Sequence, residues 1–135
     1  MNMLDSISAA RISGPHSLTD GSHIFEFRFP ASDPTFGGHF PLRPLLPGVF
    51  QLEIARVAAQ LVVNRSLEVR EITKAKFLRP IIPDETVRVE LKLSEKADMI
   101  QVRANFSVTG QAAGETILPS MHASGKNSKA KGAAQ

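Results

Sequence analysis

One segment constrains the fold more than any other: a helix apolar on most of its sides, in a chain whose other regular stretches alternate apolar with polar residues. From Pro47 onward, Val49, Phe50, Leu52, Val57, Ala58 and Leu61 recur at roughly helical spacing. Pro47 suits a first helical turn, where its missing N–H costs nothing. Phe25, Phe27 and Phe29 alternate with Glu26 and Arg28, the period of a strand with one apolar face. Val87, Val89, Leu91 and Leu93 alternate with Arg88, Glu90 and Lys92; after a turn near Ala97-Asp98 the pattern resumes at Ile100, Val102, Ala104, Phe106 and Val108. These two runs predict a long antiparallel hairpin. A last strand is expected over 114–121 and a weaker first one over 6–13, while 68–78 is a mixed run ending in the turn-rich Arg79-Pro80-Ile81-Ile82-Pro83-Asp84. A helix apolar on most sides needs a sheet wrapped around it, and a half-polar antiparallel sheet offers one apolar face. The expected class is α+β, a curved antiparallel sheet around one long central helix. Its open edges predict a dimer.

The chain of 135 residues has room for one domain with a real core, expected over 1–123. Its net charge of +3 invites a nucleic-acid reading, but Lys126, Lys129 and Lys131 fall in 124–135, which holds no acid, so three of the three net charges belong to the end of the chain. That Gly, Ser, Ala and Lys stretch has no large apolar residue and is expected to be a disordered tail. The aromatic residues are eight Phe, with no Tyr or Trp and no interleaving of basic and aromatic residues for stacking bases. No nucleic acid is expected as partner. The absence of cysteine removes disulfides, thiolate chemistry and Cys-based zinc sites, and fits a reducing cytoplasm. The N-terminus lacks a basic region followed by an apolar run, and nowhere do 18 apolar residues follow one another. A soluble, unexported protein that does not enter the membrane is expected.

The chemistry concentrates in Phe36-Gly-Gly-His39-Phe-Pro-Leu-Arg-Pro-Leu-Leu-Pro-Gly48-Val-Phe-Gln-Leu-Glu53, which sets a histidine and a carboxylate 14 residues apart around a stiff turn and a helix start. Pro41, Pro44 and Pro47 fix φ and push the residues before them into extended conformations, so little entropy is lost in holding that loop. Gly37 and Gly38 permit close approach of another chain or a ligand before His39. Glu53 falls about two turns into the helix, and the N–H groups of Gly48 and Val49 lie at its positive end.

Gly38-His39-Phe40-Pro41-x-x-Pro44-x-x-Pro47-Gly48-Val49-x-x-x-Glu53 resembles the active-site signature of the β-hydroxyacyl-acyl-carrier-protein dehydratases, which have the hotdog fold. A second block, Lys76-Phe77-x-Arg79-Pro80-x-x-Pro83-x-Glu85, resembles the strand and turn that follow the helix in that family. The resemblance implies loss of water from a β-hydroxyacyl thioester to give the trans-2-enoyl thioester, in fatty-acid or related acyl or polyene biosynthesis, without a cofactor. It implies His39 as the general base for the α-proton, since imidazole titrates near neutrality. Glu53 would deliver a proton to the departing hydroxyl or hold the water. Direct donation needs a protonated carboxyl, which an apolar pocket favours. The N–H groups of Gly48 and Val49 would bind the thioester carbonyl as an oxyanion hole. The implied partners are an acyl thioester, an acyl carrier protein and a second copy, as a homodimer or an oligomer of dimers whose sites draw His39 and Glu53 from different protomers. Phe40, Leu45, Leu46, Phe50 and Phe77 are candidates for an acyl tunnel, each also able to be plain core.

The chain departs from the family pattern in places. Where members usually carry Gln four residues after the acid, Val57 stands, with Arg56 before it and Gln60 a turn later. An Arg56 turned toward Glu53 would favour its charged form and hinder donation; one turned to solvent or the partner would not. Asp84 stands where the family usually has Gly after Pro83, which predicts some strain in that turn. The family's N-terminal segment has only a poor echo in Gly14-Pro15-His16. This is the pattern of a divergent member. His16, His23 and His122 show no metal-ligand spacing, so no metal site is expected. Arg65, Arg70, Lys74, Lys76 and Arg79 would suit an acidic carrier protein or form an ordinary solvated face. Two other functions fit the fold: an acyl thioesterase, which does not need the His-Phe-Pro turn, and a non-catalytic acyl-binding or scaffold subunit, against which His39 and Glu53 together weigh.

Overall fold

A computed structural model describes residues 3–33, 48–96 and 99–124. The described elements run in the order α1 (Met3–Ala10), β1 (Arg11–Ser17), β2 (His23–Arg28), α2 (Gly48–Val63), β3 (Ser66–Glu71), β4 (Lys74–Phe77), β5 (Thr86–Lys96), β6 (Met99–Val108) and β7 (Gln111–Ser124). All strands join one antiparallel sheet of order β1-β2-β5-β6-β7-β3, with β4 also paired to β7. The 14-residue β7 is long enough to carry two partners on one edge, β4 along 114–117 and β3 along 120–124. Between them the chain steps out of the sheet at Ile72, and Thr73 N–H returns to the Ile117 carbonyl at 3.0 Å. The mixed run 68–78 is therefore an edge strand broken in two.

The expected hairpin is present as β5 and β6, paired from Val87↔Val108 to Lys96↔Met99. Its period-two pattern decides which face is buried: Val87, Val89, Leu91, Ile100, Val102, Ala104, Phe106 and Val108 are all at most 1% exposed. These side chains, with Phe25, Phe27 and Leu118, form the apolar surface on which α2 lies through Phe50, Ile54, Ala55, Val57, Ala58 and Ala59. Ala55, Ala58 and Ala59 are fully buried, and their small side chains let the sheet close on the helix backbone. The helix stops at Asn64, whose φ of 58° is the left-handed conformation that ends many helices, with its N–H bonded to the Gln60 carbonyl at 2.8 Å.

The N-terminal region corrects the sequence reading. Residues 3–10 form a helix, and only from Arg11 does the chain enter the sheet. The buried or part-buried Met3, Ile7 and Ala10 recur at steps of four and three, a helical stripe, and they cover a flank of α2 that the sheet leaves open. The alternation Ser6-Ile7-Ser8 imitates a strand over too few residues to outweigh that stripe. Of the tail expected over 124–135, Ser124 is the last residue of β7, and 125–135 lie outside the described residues.

The second motif block has a structural account. The Glu85 carboxylate accepts from Arg79 Nη2 at 2.8 Å and from Ile82 N–H at 3.0 Å, closing the turn between β4 and β5. Burial works against the charged Glu85, but the two hydrogen bonds outweigh it and hold its pKa below the ordinary value. Asp84 N–H bonds to the Phe29 carbonyl at 2.8 Å, tying this turn to the end of β2. Asp84 has φ 68°, the left-handed region that favours glycine, in the turn where the sequence predicts strain.

Candidate active site

Helix α2 begins at Gly48, so the N–H groups of Gly48 and Val49 belong to the first turn and have no intrahelical partner. Val49 is 53% exposed. Phe77, the last residue of β4, lies against the helix start: a Cβ on Gly48 would stand 2.9 Å from two carbons of the Phe77 ring. The absence of a side chain at Gly48 thus brings an aromatic ring onto the helix start, and the ring stays half exposed. Phe50, the other tunnel candidate among the described residues, points into the core, edge-on to Phe29 with ring centroids 6.1 Å apart. His39, Phe40, Leu45 and Leu46 lie outside the described residues.

Glu53 follows in the second turn of α2, its side chain 26% exposed. Arg56 meets it side-on. Arg56 Nε donates to both carboxylate oxygens, at 3.1 and 2.9 Å, and Nη2 donates to Oε1. The third guanidinium nitrogen, Nη1, donates to Gln60 Oε1 at 2.7 Å and to the Leu67 carbonyl at 3.3 Å, and Gln60 Oε1 also accepts the Leu67 N–H at 2.8 Å. One end of the guanidinium therefore grips the carboxylate and the other is fixed to the start of β3. The hydrogen bonds to Glu53 raise the Arg56 pKa above its ordinary value, against the opposing effect of burial, so Arg56 is charged throughout the useful range of pH. Of the two orientations open to Arg56 in the sequence, the structure has the one directed at Glu53. The part played by Gln60 was not read from sequence, although its spacing of four from Arg56 is a helical side-chain pairing distance.

Four of the five cations considered for a carrier surface have acidic neighbours: Arg65 with Glu95, Arg70 with Glu68, Lys74 with Glu115 and Arg79 with Glu85. That pairing favours the ordinary solvated face. His16 is exposed on β1, and His23 Nδ1 lies 3.1 Å from the Ser17 hydroxyl. Among the described residues no group of three or more His, Cys, Asp or Glu is placed to hold a metal ion, and no helix is long and apolar enough to cross a membrane.

A curved antiparallel sheet packed on one central helix is the hotdog arrangement. The chain belongs to the ApeI-like dehydratase family, whose model matches residues 15–117. It is 35% identical over 101 residues to the 3-hydroxyacyl-[acyl-carrier-protein] dehydratase FabZ of Granulibacter bethesdensis, a match covering 67% of this chain and 59% of that protein. With the FabZ of Rickettsia massiliae it shares 31% identity, covering 67% of this chain and 68% of the other. The chain thus spans about three fifths to two thirds of the length of these relatives. In fold it is similar to a chain of the dehydratase heterocomplex ApeI:P from Xenorhabdus doucetiae, with a TM-score of 0.66, 23% identity, and coverage of 83% of this chain and 96% of that one.

Proposed function

We propose that this protein is a hydro-lyase that dehydrates a β-hydroxyacyl thioester to the trans-2-enoyl thioester. The observation that carries the reading is Glu53, partly buried and held by hydrogen bonds one turn beyond the first-turn N–H groups of Gly48 and Val49, in a chain of the ApeI-like dehydratase family. In the proposed reaction His39 takes a proton from Cα as the developing enolate oxygen accepts hydrogen bonds from the Gly48 and Val49 N–H groups. The Cβ–O bond then breaks, the double bond forms between Cα and Cβ, and the hydroxyl leaves as water on the proton that His39 took from Cα, while Glu53 accepts a hydrogen bond from the leaving oxygen and holds the water. Phe77, beside the helix start and half exposed, is positioned to cover the thioester end of the substrate. An acyl-carrier-protein thioester is the proposed substrate form, on the strength of the FabZ relatives. A second subunit is proposed to complete the site, a second copy of this chain being the simplest; the dehydratase heterocomplex ApeI:P of Xenorhabdus doucetiae, similar in fold, supports assembly with a partner. A cytoplasmic place fits this substrate.

The test is to incubate the purified protein with β-hydroxyacyl thioesters of several chain lengths, on carrier protein and on coenzyme A, beside His39→Ala and Glu53→Gln. Enoyl absorbance should appear with wild type and fall by on the order of 100-fold or more in either variant. Equal rates in all three would end the dehydratase reading, and release of free thiol would select the thioesterase. Light scattering on the eluting protein measures whether it pairs with itself.

A further inference from the structure

The proposed dehydration uses Glu53 and leaves Arg56 and Gln60 without a part. The geometry around them is unlike that of the surface ion pairs of this protein. Arg65–Glu95 and Arg70–Glu68 are single contacts at 3.4 and 3.8 Å between side chains 47 to 63% exposed, the kind of pair that contributes little. Arg56 and Glu53 are 21% and 26% exposed, and the guanidinium grips the carboxylate through two nitrogens. Its remaining nitrogen is held by Gln60 Oε1 and the Leu67 carbonyl, and Gln60 is in turn fixed by the Leu67 N–H. A side chain tied at both ends has one orientation, and a planar fork can transmit that orientation to a carboxylate where an ammonium cannot.

We infer that Arg56, braced by Gln60 against the start of β3, is a positioning residue that holds the Glu53 side chain in a single orientation for the reaction at that carboxyl group. This rests on the dehydratase reading for its kinetic consequence, but not for the clamp itself. The relay runs from the β3 backbone through Gln60 and Arg56 to Glu53, so the register of β3 on the sheet sets the direction of the carboxylate. It also accounts for the departure from the family pattern at 56–60. A Gln four residues after the acid would stand at 57, whereas here 57 is a buried valine and the amide reaches the carboxylate indirectly, from 60 through Arg56.

Two measurements test it. The first is kinetic: Arg56→Met should lower kcat on the order of 10- to 100-fold with KM within about threefold, as expected when a reacting group loses its orientation. Arg56→Lys should recover little of that. Gln60→Leu should lower kcat about 3- to 10-fold alone and have almost no further effect in the Arg56→Met background, the non-additivity of residues acting through one another. Thermal unfolding of each variant shows whether the fold persists; a purely structural salt bridge would lower the melting temperature and spare kcat. The second is nitrogen-detected NMR of the Arg56 Nε–H, which should give a sharp, slowly exchanging signal in wild type and lose it in both Glu53→Gln and Gln60→Leu. If Arg56→Met keeps kcat within twofold of wild type, or the Nε–H signal is unchanged by Gln60→Leu, the inference is overturned. A sharp signal lost as expected in a protein that dehydrates no β-hydroxyacyl thioester keeps the clamp and overturns the function instead.

Discussion

The ring of Phe77 rests on the Cα of Gly48, so that the end of β4 closes over the start of α2. This contact joins the two motif blocks in space, and it depends on an absent Cβ that would stand 2.9 Å from the ring. Replacing Gly48 by Ala keeps the backbone N–H and improves helix propensity by up to about 1 kcal/mol. It also drives the ring away, and because Phe77 is half exposed the ring can swing out without disturbing the core. Gly48→Ala should therefore melt within a few degrees of wild type while losing on the order of 10-fold in kcat/KM. Full activity in a folded Gly48→Ala protein would remove Phe77 from the proposed site.

Asp84 carries a conformational cost in its backbone. Its φ of 68° is the left-handed region, which an aspartate tolerates better than most residues but less well than glycine. The ion pair it makes with Arg28, at 4.0 Å between side chains more than half exposed, offsets little of this. Asp84→Gly should gain about 0.5 kcal/mol, after the greater freedom of glycine in the unfolded chain is allowed for, or roughly 2–4 °C in melting temperature. Asp84→Val should lose about 1–2 kcal/mol, since a β-branched residue fits that region worst. Urea unfolding of the two variants checks the order.

Glu85 predicts a specific acid sensitivity. Its folded pKa is lowered from 4.5, because the Ile82 N–H and Arg79 hydrogen bonds outweigh the opposing effect of burial. A carboxylate with a depressed folded pKa contributes stability that is present above its unfolded value of 4.5 and is lost as pH falls through the lower folded value. Below about pH 4.5, then, the turn between β4 and β5 should weaken. In Glu85→Gln the fall of unfolding free energy between about pH 5 and 3 should be shallower than in wild type. Identical slopes in a urea series would show that Glu85 does not drive the acid response.

How much of this was legible in the sequence follows the range of each interaction. Val87 to Val108 could be placed because period-two burial is written into neighbouring residues, and the structure pairs that hairpin as expected. The helix from Gly48 could be placed for the same reason. Of the strand expected over 6–13, residues 11–13 lie in β1 but 6–10 are helical: Ser6-Ile7-Ser8 alternates, while the reason for a helix is the flank of α2 that Met3, Ile7 and Ala10 cover, a long-range fact. On α2, the placing of Glu53 about a turn beyond the Gly48 and Val49 amides follows from spacing on one helix. The brace on Arg56 does not, because it needs Leu67 of β3 brought back beside Gln60 by the turn at Asn64.

Gly114 supports the site from the far side of β4. It pairs with Phe77 in the sheet, and a Cβ there would meet Gln51 Oε1 and stand 2.8 Å from the Lys76 carbonyl. The Gln51 side chain could turn away, but the Lys76 oxygen is backbone, and it can retreat only if β4 lifts from β7. Gly114→Ala should therefore cost about 1–3 kcal/mol, the range for inserting a methyl group into a packed site. Removing the movable half of the clash separates the two causes. If the backbone contact dominates, Gly114→Ala with Gln51→Ala should remain as unstable as Gly114→Ala alone or more so, since Gln51 is buried and its loss leaves a cavity. If the double variant regains wild-type stability, the clash was with the amide and β4 never moved. In the first case β4 lifts, Phe77 leaves the start of α2 with it, and enoyl formation should fall alongside stability; in the second it should not.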